Sequence, residues 1–363
     1  MQRRYSMRPT IIADMQSLIL LGLVLLFSGG VLTGCDRPDP PSTVTQSVTF
    51  EEESAFISLP FDDASYLSYA AGMYRSVATR NRNLLDVLNP DSELSELNRI
   101  GPLRGFPVSE ATYRILYVAR DLCSRTDGLF DVTVAPLGYL WGFEGGLVPS
   151  EPVPKAAISA GMRGVGYANL NVDNRLVVYE SPHTRVSLGS LVDSYSVDLS
   201  IIELREKGIM NVLIDAGHVA RAQGQGAESV FWTKTIPDPF QPGEKLGAVR
   251  LDDGQGLSMV TQDDSYVVIG EERFHHIIDP RSGRPASGTA AVCVLAPSAT
   301  VACALAQALY VAGVEEAGSL LADFVRCHVL MVPDSEPMEL WMTEGFRERV
   351  EMPPELEDRF FRL

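Results

Sequence analysis

Ala291-Val292-Cys293-Val294-Leu295 is an unbroken apolar run, and the residues after it, Ala296-Pro297-Ser298-Ala299, open a segment that stays helical in character to Val311. A short apolar run of this kind reads as a buried strand. Upstream, 186–188 and 212–214 are strand-like and 192–207 is helical; further strand-like runs lie at 170–172, 176–179, 247–251 and 266–269. Apolar residues at helical spacing over 67–88 stop at Asn89-Pro90-Asp91, and a second helix over 110–126 stops at Asp127-Gly128. Strands and helices do not alternate steadily, so the expected class is α+β rather than a doubly wound sheet. The segment 224–256, rich in Gly, Pro and charge, reads as exposed hairpins and loops.

The composition narrows the function. Of 363 residues, 45% are apolar, which is globular, and 30 Lys plus Arg stand against 47 Asp plus Glu for a net charge of −17. Such an acidic surface repels phosphate backbones and excludes a nucleic-acid partner. The length allows one large or two ordinary domains. Five cysteines form no Cys-x-x-Cys pair and no cysteine–histidine cluster at zinc spacing, which argues against a structural zinc site.

Arg3, Arg4 and Arg8 precede an apolar run over 18–32. At about 15 residues it is shorter than the roughly 20 that a membrane-spanning helix needs. Basic head, apolar middle and small-residue end mark a secretory leader. Its end, Leu32-Thr33-Gly34-Cys35, resembles a bacterial lipobox. That resemblance implies a lipoprotein signal peptide over 1–34 and acylation of Cys35, the first residue of the mature chain. Asp36 resembles the inner-membrane retention signal of some Gram-negative lipoproteins. Residues 35–54, rich in Pro, Ser and Thr, read as a flexible stalk, and 55–363 as the folded domain. The expected location is the cell membrane, reached through lipid alone, with the domain in the periplasm or otherwise outside the cytoplasm. Cys123, Cys293, Cys303 and Cys327 read as buried structural thiols.

Four motifs in order carry a wider resemblance. Ser92-Glu93-Leu94-Ser95-Glu96-Leu97-Asn98 comes first, then Gly128-Leu129-Phe130-Asp131-Val132-Thr133-Val134-Ala135-Pro136-Leu137 with Leu140-Trp141-Gly142-Phe143. His276-Ile277-Ile278-Asp279-Pro280-Arg281-Ser282-Gly283 with Pro285 follows, and Ala296-Pro297-Ser298-Ala299 closes the series. In this order and spacing they resemble the ApbE family of FAD:protein FMN transferases. The resemblance implies a two-lobed α+β flavin transferase fold, related to the T-fold, with a ligand cleft between the lobes. It implies FAD as substrate or ligand, Mg²⁺ on the pyrophosphate, and a flavin-accepting redox protein as partner. A Ser or Thr hydroxyl of that partner would take FMN and release AMP.

Several residues admit two readings. Trp141, Gly142 and Phe143 offer faces on which a flat ring can stack, or they fill the core. Asn98 bonds a ring edge or serves as a polar cap. Arg281 clamps a phosphate or pairs with Asp279. His276 takes the proton of an attacking hydroxyl or is a satisfied structural imidazole. The resemblance assigns His276, Asp279 and Arg281 to catalysis near the pyrophosphate. It assigns Asn98, Trp141, Gly142, Phe143, Ser187, Asp193, Gly217, His276 and Ile277 to the flavin nucleotide.

The chain leaves the family pattern at polar positions. Against D-L-G-G-I-A-K-G-Y-A-x-D it has Ser187 for the first Asp, Val192 for the Ala, Asp193 for the Lys or Glu, and Ser194 for a Gly. Against N-L-G-G-D-I-R it has His218 for the second Gly and Val219 for the Asp. Against A-D-A-L-x-T it has Cys303 and Gln307, four apart on one helix face, where the resemblance implies the two side-chain ligands of magnesium. With the Val192 carbonyl, Cys303 and Gln307 thus occupy the metal-ligand positions, yet a thiol is soft and an amide uncharged. The pairs Asp252-Asp253 and Asp263-Asp264 read as turn acids on a solvated face rather than replacement ligands. The resemblance therefore predicts an FMN transferase-like lipoprotein whose transfer activity is compromised. The alternative is a non-catalytic, FAD-binding or protein-interaction lipoprotein.

Overall fold

A computed structural model describes residues 43–50, 53–145, 147–227 and 231–363. The leader, Cys35 and the first part of the stalk lie outside the described residues.

One nine-stranded sheet organises the molecule, with strands in chain order from edge to edge: Thr43–Phe50, Glu53–Pro60, Val212–Ala216, Val219–Gln223, Gly256–Thr261, Thr289–Ala296, His328–Pro333, Leu340–Met342 and Phe360–Arg362. Neighbours are antiparallel except for the last pair. Alternation along the central strands sends side chains to two different cores. Val212, Ile214, Val219, Val292, Val294, Val329 and Met331 face helices. Leu213, Ala220, Leu257, Cys293, Leu295 and Leu330 face the opposite way.

The helical face carries α1 (Leu67–Leu85), α6 (Leu191–Glu206) and α7 (Ala299–Leu321). The expected helix over 299–311 continues to Leu321 only across a break at Gly313, whose φ of 69° no β-carbon residue adopts cheaply. Beyond these helices lies the second lobe. It contains α2 (Glu93–Ile100), α3 (Glu110–Arg125), α4 (Ala135–Trp141), α5 (Lys155–Gly161) and a small sheet of Phe106–Pro107, Leu170–Asp173 and Leu176–Tyr179. The mixed architecture with a cleft between lobes is the one expected.

Two expectations need correction. Residues 43–50 are not stalk: they form an edge strand paired along its length with Glu53–Pro60, and Val44 and Val48 bury against the same core as Ala55, Ile57 and Leu59. Alternating Thr, Ser and Gln with two valines hid a half-buried strand behind a linker-like composition. The segment 224–256 forms the expected hairpin, Trp232–Pro237 with Lys245–Leu251, which Val350–Glu351 extends into a three-stranded sheet, but it is not wholly exposed. Its inner face is not exposed, because Trp232, Ile236, Leu246, Val249 and Leu251 close the core on the back of the large sheet.

Among the described residues no helix is long and apolar enough to cross a membrane. Cys123, Cys293, Cys303 and Cys327 are all free and buried, as expected.

Candidate functional site

The junction of the two lobes holds a cavity of about 630 Å³, within the range of small-molecule sites. The end of α1 contributes Arg82, Asp86 and Leu88, the segment after α4 contributes Phe143 and Glu144, and the start of α6 contributes Ser187, Ser190, Val192 and Asp193. The sheet adds Ser258, Met259 and Val260, the hairpin turn at 217–218 adds His218, and α7 adds Cys303 and Gln307. His276, Ile277, Asp264 and Ser265 complete the wall.

The structure separates the sequence candidates into two sets. Phe143, Ser187, Val192, Asp193, His276, Ile277, Cys303 and Gln307 line the cavity. Asn98, Trp141, Gly142, Asp279 and Arg281 do not. Asn98 ties the lobe together: its Oδ1 accepts from the Val186 N–H (2.8 Å) and the Tyr179 hydroxyl (2.9 Å), and its Nδ2 donates to the Val186 carbonyl at 2.7 Å. Trp141 is buried against Phe274, its Nε1 donating to the Gly283 carbonyl at 3.0 Å. The core reading of Trp141 therefore holds. Gly142 ends α4 with φ of 86°, and a β-carbon there would come within 2.9 Å of the Val148 backbone. Arg281 pairs with Asp279 at 3.1 Å and Glu316 at 2.9 Å, so its guanidinium is spent on surface carboxylates rather than on a phosphate. Gly217, at φ of 73°, forms the tip of the hairpin and borders a smaller adjoining pocket of about 170 Å³.

His276 lines the cavity. Its Nδ1 donates to the Ser265 carbonyl at 3.2 Å, which leaves Nε2 with a lone pair able to take a proton. Burial lowers its pKa. Its neighbour His275 has the opposite role. Nε2 donates to the Thr261 carbonyl at 3.0 Å, Nδ1 accepts from the Ile277 N–H, and the ring lies against Tyr310. Burial holds His275 neutral, with its pKa lowered to about 3.

The positions where the family resemblance implies magnesium ligands hold groups that hydrogen-bond one another. The Gln307 amide nitrogen donates to Cys303 Sγ at 3.3 Å and to Ser190 Oγ at 3.1 Å, and Ser190 Oγ lies 3.4 Å from the same sulfur. Burial raises the Cys303 pKa, so the group is a thiol rather than a thiolate. The Val192 carbonyl accepts from the Ser196 hydroxyl at 2.7 Å. Among the described residues, no three His, Cys, Asp or Glu groups converge as a metal site. A thiol, an uncharged amide and a carbonyl already accepting a hydrogen bond make a poor donor set for Mg²⁺, which favours charged, hard oxygens.

Sequence reasoning missed Arg82, Glu144 and Ser190. Arg82 holds Asp193 at 3.1 Å across 111 positions of sequence, so nothing adjacent marks it. Glu144 packs over Gly138, and burial, helped by Asp86, raises its pKa. Asp264 is an exposed turn acid, as expected. It borders the cavity, but its two oxygens accept from the Thr261 N–H and hydroxyl, both at 2.7 Å, so it is no free ligand.

Comparison with known proteins agrees with the geometry. The ApbE family model matches residues 47–331. The FAD:protein FMN transferase of Escherichia coli K12 is 27% identical over 336 residues, covering 90% of this chain and 96% of its own. One from Rhodobacter capsulatus is 31% identical over 261 residues, 71% of this chain and 49% of its own. In fold, the chain resembles the ApbE protein of Thermotoga maritima with a TM-score of 0.75 at 24% identity, covering 85% of this chain and 99% of that one. It resembles the flavin transferase ApbE of Vibrio cholerae with the same score at 23% identity, covering 85% and 100%.

Proposed function

The chain belongs to the ApbE family, and from that premise we propose that it binds a flavin dinucleotide between its lobes while transferring FMN poorly. Relatives named FAD:protein FMN transferase support FAD as the ligand. A cavity of about 630 Å³ bordered by Phe143, Val260 and Ile277 supplies room and apolar surface for a flat ring.

One observation carries the reduced activity. Gln307 and Cys303, at the positions where the family resemblance implies metal ligands, hydrogen-bond each other and Ser190 and offer the cavity an uncharged amide and a thiol in place of a carboxylate and a hydroxyl. Magnesium would otherwise neutralise charge as the phosphoanhydride bond breaks and AMP leaves. A second reading, retained transfer, draws on His276, whose Nε2 is placed to take the proton of an acceptor hydroxyl. Anchoring through acylated Cys35, with the domain outside the cytoplasm and a flavin-accepting redox protein as partner, belongs to the same proposal and rests on the leader.

Titrating FAD into the purified domain and following flavin fluorescence tests the binding half. Saturable quenching is the expected result; no quenching at any accessible FAD concentration rejects it. AMP release from FAD, with and without Mg²⁺, tests the other half, and little release in either condition is expected.

A further inference from the structure

We propose that Arg82 is the anion-binding residue of this cavity: its guanidinium charge holds the pyrophosphate of the bound nucleotide, and Asp193 fixes that guanidinium in place. The inference rests on the flavin-dinucleotide reading of the cavity.

Charge is unevenly shared along the wall. Asp86, Glu144, Asp193 and Asp264 border the cavity, and among the described residues lining it Arg82 is the only lysine or arginine. His276, whose pKa burial lowers, adds no positive charge at neutral pH. A pyrophosphate entering this acid-rich wall without a firmly held divalent ion needs a cation from the protein. Arg82 is the cation on the wall.

Two helices set its position. Arg82 stands in the last turn of α1 and Asp193 in the first turn of α6. Arg82 Nε and Nη2 both donate to Asp193 Oδ1, at 3.2 and 3.1 Å, and two bonds to one oxygen hold the guanidinium where a single bond would let it swing. The pair is not sunk in the core, since the two side chains keep 30% and 19% of their surface exposed. Both residues border the main cavity and also the adjoining pocket of about 170 Å³, so the charge stands where the two spaces meet.

The joint between α1 and α6 has other ties. Asn81 Nδ2 donates to Ser196 Oγ at 2.9 Å in the core, and Arg80 pairs with Glu203 at 3.3 Å on the surface. None of these four residues borders the cavity. Arg82 and Asp193 differ from them in facing the space a ligand would fill. Asp193 both orients the guanidinium and offsets its charge. Neutralising Asp193 without changing its shape therefore strengthens the pull on an anion, whereas removing Arg82 weakens it. A pair that served only to join the helices would give losses on both sides.

The test is calorimetric titration in EDTA with ADP, FAD and riboflavin as probes. The unmodified chain, Arg82→Met and Asp193→Asn are compared, with thermal denaturation to verify that each folds. The unmodified chain is expected to bind ADP and FAD without metal. Arg82→Met should weaken both by about tenfold or more while leaving riboflavin, which lacks phosphate, unchanged. Asp193→Asn, whose amide oxygen still accepts from the guanidinium, should tighten ADP and FAD by about threefold or more. Should Arg82→Met fail to fold, the sign of the Asp193→Asn change decides alone. Unchanged ADP affinity in Arg82→Met would overturn the proposal, as would an equal loss of riboflavin affinity, no tightening of ADP in Asp193→Asn, or no ADP binding by the unmodified chain. The expected ADP pattern with no FAD or riboflavin binding by any chain would uphold the phosphate contact and reject the flavin reading.

Discussion

Two polar constellations on the same pair of helices have gone separate ways. Midway along α6, Asp198 accepts from the Ala299 and Thr300 N–H groups (both 2.9 Å), from the Thr300 hydroxyl at 2.6 Å and from Arg221 at 2.7 Å. It caps α7 and ties that helix to α6 and the sheet. At the start of α6, Ser190, Cys303 and Gln307 bond weakly to each other across the cavity wall. The first set keeps the family pattern at Asp198 and Arg221. The second departs from it at Cys303 and Gln307. The difference teaches that the fold depends on charges buried in its joints, while the charge of the cleft can change without disturbing the frame.

The largest test of this contrast is Asp198→Ala. It strands Arg221 and uncaps α7, and should cost about 3–5 kcal/mol, read as a lower midpoint in urea denaturation. A midpoint near that of the unmodified chain would erase the distinction between the two constellations.

Adjacent histidines offer a second comparison through pH. His275 has its folded pKa lowered to about 3 from an ordinary 6.5. The unfolded chain gains a proton as pH falls through about 6.5, and the folded chain does not until about 3. Stability from the neutral ring is therefore complete above that window and is lost progressively within it. His275→Gln should flatten the fall of stability between about pH 6.5 and 3 relative to the unmodified chain, measured by denaturation at a series of pH values. Parallel curves would remove His275 from the frame.

Asn98→Ala should cost about 2–3 kcal/mol, because Tyr179 and both backbone groups of Val186 lose their partner together. FAD affinity should be unaffected, since Asn98 lies off the cavity. A selective loss of FAD affinity in a stable Asn98→Ala chain would restore its reading as a flavin contact. The smallest change is expected for Cys303→Ala, within about 1 kcal/mol, since it removes only a sulfur with weak hydrogen bonds.

Much of the frame was legible before any coordinates. The periodicity over 67–88 and 110–126 found α1 and α3 nearly to their ends, because each has an apolar stripe facing one core. The edge strand Thr43–Phe50 was not legible. Its polar face resembles a linker, and only pairing with Glu53–Pro60 gives its valines somewhere to bury. The site was half legible. Motif positions put His276, Cys303 and Gln307 in the cavity, but a motif does not say which of its polar residues face inward. Arg281 fell to two carboxylates, one of them 35 positions away, and Trp141 to the core. Arg82 was invisible because its partner Asp193 is brought to it only by the packing of α1 on α6.

The central claim is that the cleft lost its hold on magnesium at 303 and 307 while the surrounding fold remained competent. The direct measurement is magnesium-dependent AMP release from FAD, in the presence of an acceptor peptide, by the unmodified chain and by the Cys303→Asp, Gln307→Thr double variant. The account predicts little release from the unmodified chain and a rise of about tenfold or more in the variant, abolished by EDTA. Vigorous magnesium-dependent release by the unmodified chain, with no gain on restoring the two oxygen donors, would contradict it.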